Sequence, residues 1–414
     1  MRPFRRDILE EHFEEAAFLF RLRELAFDSY ARRLDSMASL EERLLAHLDG
    51  LTVADSAGWE VARSGLGSKI DGESFVASFA AVASPSAESL GALGDALASS
   101  KGARGHRRGL RLARGPRTKD TLEQLAKHPE IGVRAAAVDA LVFRGDTREV
   151  AELPEYLRSD LPQVLRAGLE IASRILPRNA EREIARALSH EDPAVASAAH
   201  RAALLAHMPE AHPAGTRLAG ADDPRAPRAL AWHALAAAPD ARAVLAVAAD
   251  RPETRRAALL SIAHSGDTGA ADQIVRAIRE KAQSRAAGHA LEVLLGIDLV
   301  EEGLTLSPDD AAKSELEDLD PDEEFAWPDP EKVERWWASE PGKRAARNVS
   351  WEKLLEDAQD APMPTREAAI LRARLALPGV GPFETRGWAD EQRRAFPSLI
   401  RQVAEASRGK LPRS

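Results

Sequence analysis

Cysteine is absent from this 414-residue chain, which removes disulfides, thiolate metal sites and cysteine nucleophiles from consideration. A reducing compartment is compatible with that absence. Aromatic residues make up only 5%, with two tyrosines. β-Branched residues are also sparse, so the strands that an α/β enzyme needs are hard to find. No uncharged apolar run reaches the length of a membrane span or a secretory signal. The N-terminal stretch turns amphipathic at once, with Glu10, Glu11, Glu14 and Glu15 among its apolar residues. The expectation is a soluble, cytoplasmic protein.

Excess charge is also missing from most of the chain. The formal net charge is −9, but residues 301–324 hold eleven acids against Lys313, a local −10, which leaves the remainder at +1. That stretch has few apolar residues and reads as a solvated loop.

What is abundant is alanine, nearly one residue in five, and it recurs with a period. Pro129, Pro162, Pro193, Pro224 and Pro252 are spaced 33, 31, 31 and 28 residues apart, each leading an Ala-rich helical pattern. In a register of 31, 31, 31 and 28, Ala136, Ala167, Ala198, Ala229 and Ala257 fall in one column. A fixed period of this length marks a stacked α-solenoid whose helix pairs bury their apolar faces against their neighbours. Asp192-Pro193 and Asp223-Pro224 are helix starts, the Asp accepting from free N–H groups and Pro losing no helical bond at the first position. Gly145-Asp146 and Gly266-Asp267 supply turns.

The predicted fold class is all-α: an α-solenoid of HEAT-like helix pairs with a helical C-terminal cap. Residues 1–120 form irregular helical repeats, with helices over about 7–34, 39–48, 54–64, 73–83 and 87–98. Residues 121–299 form the regular repeats, with outer helices such as 179–189 and 240–249. Residues 300–324 form the acidic loop. Residues 325–414 form a Trp-rich segment that holds five of the seven tryptophans.

Two surfaces are candidates for binding. Arg104, Arg107, Arg108, Arg111 and Arg114 make a basic stripe at helical spacing. It reads as a solvated helix face, or as a contact for an acidic protein surface or for the chain's own 301–324 loop. Nucleic acid ranks last, because the body is near neutral and no aromatics interleave the stripe. Second, positions 135, 166, 197, 228 and 256 read Ala, Arg, Ser, Arg, Arg, and positions 139, 170, 201, 232 and 260 read Asp, Glu, Arg, Trp, Leu. Arg166, Glu170, Arg201, Arg228, Trp232 and Arg256 would then line a protein-binding strip, Arg and Trp being frequent hot spots. The bland alternative is a core-filling Trp232 beside solvated arginines.

Catalytic and metal chemistry find little footing. His200, His207 and His212 lack the spacing of a zinc site. Asp318-Leu-Asp-Pro-Asp322 imitates half of a calcium loop, but Glu323 stands where glycine is needed and Asp329 where a bidentate glutamate is needed. No Gly-x-Ser-x-Gly elbow and no Gly-rich phosphate loop occurs. The expectation is a protein without cofactor, metal or catalytic residues.

The phrase His128-Pro-Glu-Ile-Gly-Val-Arg-Ala-Ala-Ala-Val-Asp-Ala-Leu141, ending in Gly145-Asp146, resembles the HEAT repeat, in particular the short form first associated with phycobilin lyases. That repeat serves scaffolds, adaptors, a lyase family and a DNA glycosylase family. Further phrases resemble an uncharacterised bacterial family: Glu14-Glu-Ala-Ala-Phe-Leu19, His47-Leu-Asp-Gly-Leu51 and Gly58-Trp-Glu60 near the start, then Gly288-His-Ala-Leu-Glu-Val-Leu-Leu-Gly-Ile-Asp298, Trp327-Pro-Asp-Pro330 with Trp336-Trp337, and Phe383-Glu-Thr-Arg386. The resemblance implies HEAT-like helices and an accessory role beside type VI secretion systems, as adaptor, chaperone-like or immunity protein. It implies no catalytic residues. The alternative function is a HEAT-repeat enzyme, glycosylase-like or lyase-like, for which only Trp232 and Glu170 offer a hint.

Overall fold

The computed structural model describes residues 5–99, 103–146, 150–177, 179–220, 226–238, 240–314, 322–339 and 349–409. The described residues form an all-α protein of HEAT-like helix pairs arranged as a solenoid, without β-strands. Two compact units are distinguished: residues 1–206 with 381–399, and residues 207–380 with 400–414.

The first unit contains α1 (Arg6–Ala26), α2 (Leu34–Val53), α3 (Ser56–Ala62), α4 (Asp71–Ala83), α5 (Ala87–Ala98), α6 (Ala103–Leu112), α7 (Thr118–Leu125), α8 (Ile131–Phe143), α9 (Leu153–Leu157), α10 (Pro162–Ile175), α11 (Glu181–Ala187) and α12 (Pro193–Leu205). Helices α4, α6, α8, α10 and α12 pack in succession, while α7, α9 and α11 lie against α8, α10 and α12. The first helix is shorter than the expected 7–34, because the chain leaves it at Phe27 and buries Phe27 and Tyr30 instead.

The second unit contains α13 (Ala211–Gly220), α14 (Ala226–Leu235), α15 (Ala241–Asp250), α16 (Pro252–Ser265), α17 (Ala271–Ala277), α18 (Ser284–Leu295), α19 (Pro308–Ser314), α20 (Pro330–Ala338), α21 (Trp351–Ala358) and α22 (Met363–Ala376). Its inner helices α14, α16 and α18 again pack in succession. A last helix, α23 (Ala389–Ser407), begins in residues assigned to the first unit.

Local signals explain these elements. Asp192 caps α12, its Oδ1 accepting from Ala194 N at 2.7 Å and Val195 N at 3.2 Å. Pro162, Pro193 and Pro252 open α10, α12 and α16 at their first positions. Asp223 and Pro224 lie outside the described residues.

The repeat register holds, with its tightest column one residue later than expected. Ala136, Ala167 and Ala229 are buried, but Ala198 and Ala257 are only half-buried. The next column, Ala137, Gly168, Ala199, Leu230 and Ala258, is buried throughout. So are the columns four before and three after it: Val133, Val164, Val195, Ala226 and Thr254, then Ala140, Ile171, Ala202, His233 and Ser261. Spacings of four and three put all three columns on one helical stripe, which is why burial follows them.

The described part of the acidic stretch is more ordered than a solvated loop. Leu304 is buried, Thr305 forms an antiparallel bridge to Pro328, and Leu306 N donates to Trp327 O at 2.9 Å. Residues 308–314 are helical, while 315–321 lie outside the described residues.

Candidate functional site

Helix α6 is the hub of the first unit. Its glycines set its approach to α4: a Cβ at Gly105 would lie 2.2 Å from Asp71 O, and one at Gly109 would lie 2.6 Å from Ser78 Cβ. Spaced by four, they form one flat face, so the helix presses backbone against backbone there and turns its arginines elsewhere. His106 anchors the same contact through Ser78 Oγ at 2.6 Å.

The basic stripe expected to be solvated, or to meet residues 301–324, instead meets acids of its own unit. Arg111 is 6% exposed at its side chain and donates from Nε and Nη2 to both oxygens of Asp139, at 2.8 and 2.7 Å, with Glu170 as a second acceptor. Arg107 reaches Glu170 at 3.5 Å. Arg108 and Arg104 reach Glu24 at 3.4 and 3.1 Å, and Arg104 alone stays half-exposed. Arg114 pairs with Asp390 and Glu391 and lies 4.8 Å from the Trp388 ring. The correction has a simple cause. Acids recur at corresponding positions of successive helices, Asp139 on α8 and Glu170 on α10, and a buried guanidinium needs such partners.

The electrostatics follow from this crowding. Burial pushes the Glu24 carboxyl up, but Arg108, Arg23, Arg386 and Arg104 outweigh it and hold the pKa at about 2. Glu170 is likewise buried, and Arg111, Arg107, Arg166 and Arg174 hold it well below the usual carboxylate range. Two carboxylates thus serve eight guanidiniums. Burial drops Arg107 to about 10 and Arg108 to about 9, only partly offset by Glu170 and Glu24 respectively.

Residues 384–391 lace this network, and nothing in their sequence position announced it. Glu384 accepts from Arg174, and Arg386 donates to Asp28 at 2.9 Å. The carbonyls of Arg386 and Gly387 accept from buried Arg23 at 3.1 and 2.9 Å. Trp388 is 1% exposed and donates from Nε1 to Leu112 O at 2.9 Å. A cavity of about 830 Å3 opens beside this segment, walled by Phe143, Arg144, Phe383, Glu384 and Gln392. The quoted phrase Phe383-Glu-Thr-Arg386 supplies part of this lacing.

The six strip residues fall in both units and are placed unit by unit. In the first, Arg166 is a third exposed and pairs with Glu170 at 3.3 Å, so both belong to the network around α6, while Arg201 is half-buried on α12. In the second, Arg228 is exposed on α14 with its guanidinium 5.8 Å from the half-buried Trp232 ring. Arg256 donates from Nε and Nη2 to Asp322 at 2.8 and 2.6 Å, and Asp322 is 4% exposed.

That pairing also bears on the calcium-like run: Asp318 and Asp320 lie outside the described residues, and Asp322 is committed to Arg256. Asp329 caps α20, accepting from Glu331 N at 3.0 Å and Lys332 N at 3.1 Å. His200 is fully buried, and His212 lies edge-on to His233, whose Nε2 is 2.9 Å from Asp240 Oδ1. Among the described residues, no group of three or more His, Asp or Glu is arranged to hold a metal ion, and no helix is long and apolar enough to cross a membrane.

No curated protein and no solved structure matches the chain. Residues 107–174, the span from the arginine stripe through α10, match the family described as HEAT repeats, and the chain is a HEAT-repeat-like protein.

Proposed function

We propose that this protein is a binding scaffold or adaptor rather than an enzyme, and that its partner is a protein. HEAT repeats generally serve as protein-interaction scaffolds, and the match over residues 107–174 supports that general role. The observation that carries the reading is Arg228, exposed on α14 and set over the accessible ring of Trp232. An arginine pre-positioned on an indole loses little freedom on binding and offers both an apolar plate and a fork of donors. Arg201 and Arg166 are further candidates. Glu170 supports binding less than expected, because four guanidiniums surround it. The same engagement weakens the glycosylase-like alternative, which needed that acid to handle a proton.

The finer proposal is an accessory role beside a type VI secretion system, as adaptor, chaperone-like or immunity protein, acting in the cytoplasm. It is supported by the phrases at both ends of the chain that resemble such a family. Cross-linking in cells followed by mass spectrometry would identify the partner, which is then titrated against purified variants. Trp232→Ala and Arg228→Ala should each weaken that partner by about 1–3 kcal/mol with the fold intact. Unchanged affinity in the double variant would reject this surface. Tight, steeply salt-dependent DNA binding would favour nucleic acid instead.

A further inference from the structure

The second unit encloses a cavity of about 260 Å3 where the end of α16 meets α18, α21 and α22. Its walls combine polar surface with apolar side chains, among them Val349, Leu354, Ala361, Ala368 and Ala369. One strong donor stands in that lining. Arg372, on α22, is half-buried, with its guanidinium carbon 5.4 Å from the centre of the Trp351 ring. Among the described residues it has no hydrogen bond and no ion pair, and burial lowers its pKa with no carboxylate opposing the shift.

The acids on the walls are committed elsewhere. Glu292 accepts from Leu299 N at 3.0 Å and lies 3.3 Å from His289 Nδ1, and Asp357 pairs with Lys353. His264, also on the wall, lies 3.4 Å from Thr365 Oγ1 and is held neutral, its pKa lowered to about 3 by burial and by His289. The backbone makes room for the arginine. Gly266 has φ +69°, and a Cβ there would come within 2.3 Å of Arg372 Nη1, so the guanidinium occupies the space a side chain would take. The positive φ favours glycine at this turn, and a side chain there would displace the flexible guanidinium from its place.

A half-buried guanidinium that faces a cavity without an anion is an unspent donor fork, matched in shape by a carboxylate. We propose that this cavity binds a carboxylate carried on a short apolar chain, with Arg372 as the recognising group and Trp351 as its stacking plate. The volume lies just below that of ordinary small-molecule pockets, so the chain is short. The carboxylate is that of a small monocarboxylic acid or the C-terminus of a peptide. This site goes beyond the binding role proposed above and uses neither Arg228 nor Trp232, so either can fail without the other.

The test is isothermal titration of the full chain with butyrate and with butyramide, its neutral isostere. A parallel arm uses a tetrapeptide ending in Ala-Leu, as the free acid and as the C-terminal amide. In at least one pair the acid should bind at a single site about tenfold or more tighter than the amide, a difference of about 1.4 kcal/mol. A preference confined to the peptide pair assigns the site to a partner's C-terminus, and one confined to butyrate assigns it to a small metabolite. Arg372→Gln should abolish the preference. Ala369→Leu keeps the arginine and narrows the cavity, so it should weaken the acid even if the first variant folds poorly. Acids and amides that bind alike, or not at all, in both pairs would overturn the proposal, as would an undiminished acid preference in Arg372→Gln.

Discussion

Removing the carboxylate of Asp139 should destabilise the first unit more than any surface change, and its surroundings set the size of the effect. Asp139 is 0% exposed and takes two hydrogen bonds from Arg111, at 2.8 and 2.7 Å, with Arg174 3.7 Å away. Both guanidiniums also stand over the Phe143 ring, at 5.3 and 5.4 Å, which supplies polarisable surface but no charge. In Asp139→Leu, two buried arginines would share Glu170 and Glu384 alone, and breaking one side of a buried pair costs about 3–5 kcal/mol. Removing both partners is a different perturbation: in Asp139→Leu with Arg111→Met no charge is left stranded, and the double variant should recover most of that loss. Because the chain has two units, a global melting curve would mix them. Hydrogen exchange over peptides from 107–143, read by mass spectrometry, gives the local opening free energy instead. The loss should persist at high salt, since buried pairs are screened far less than exposed ones. A loss below about 1 kcal/mol in the single variant, or no recovery in the double, would refute the view that α6 is held by buried ion pairs.

Other outcomes can be checked with less. Ala199→Leu should overpack the inner-helix contact at about 1–3 kcal/mol, whereas Ala198→Leu, at a half-buried position, should cost clearly less in the same urea titration. Asp322→Ala should loosen the segment near residue 322 and cost about 1–3 kcal/mol, since it removes a buried acceptor of two arginine donors. Exchanging 301–324 for a Gly/Ser linker should accordingly lower the melting temperature by several degrees, not leave it unchanged. For pH, Glu24, Glu170, Glu384 and Asp390 all have folded pKa values depressed below their ordinary ones. Their contribution is complete above the ordinary carboxylate range, near 4.5 for Glu24, and is lost as pH falls toward about 2. Acid titration of the first unit, followed by exchange or circular dichroism, should show the loss in that window. Stability unchanged down to pH 2 would contradict the assignment.

The fold class was legible in the sequence because a solenoid is built from local rules. Proline at the first helical position, Asp192 as a cap and glycine at the turns act within a few residues, and the 31-residue period repeats the result. A one-residue shift of the buried column escaped because alanine at 136 and at 137 look alike in sequence; only packing distinguishes the face from its edge. The sequence also showed that Arg111 and its neighbours lie on one side of a helix, and that Asp139 and Glu170 share a column. It could not show that these face one another, since charge at helical spacing is equally compatible with solvent. Gly105 and Gly109 held the missing signal, two close-approach positions four residues apart on the same helix. Residues separated by hundreds of positions were beyond such rules altogether. Trp388 bonds to Leu112 and Arg23 to Gly387 through contacts that carry no period and leave no local composition. Arg372 is the same case: its environment depends on Gly266, Trp351 and the acids paired elsewhere, a combination that only the folded chain assembles.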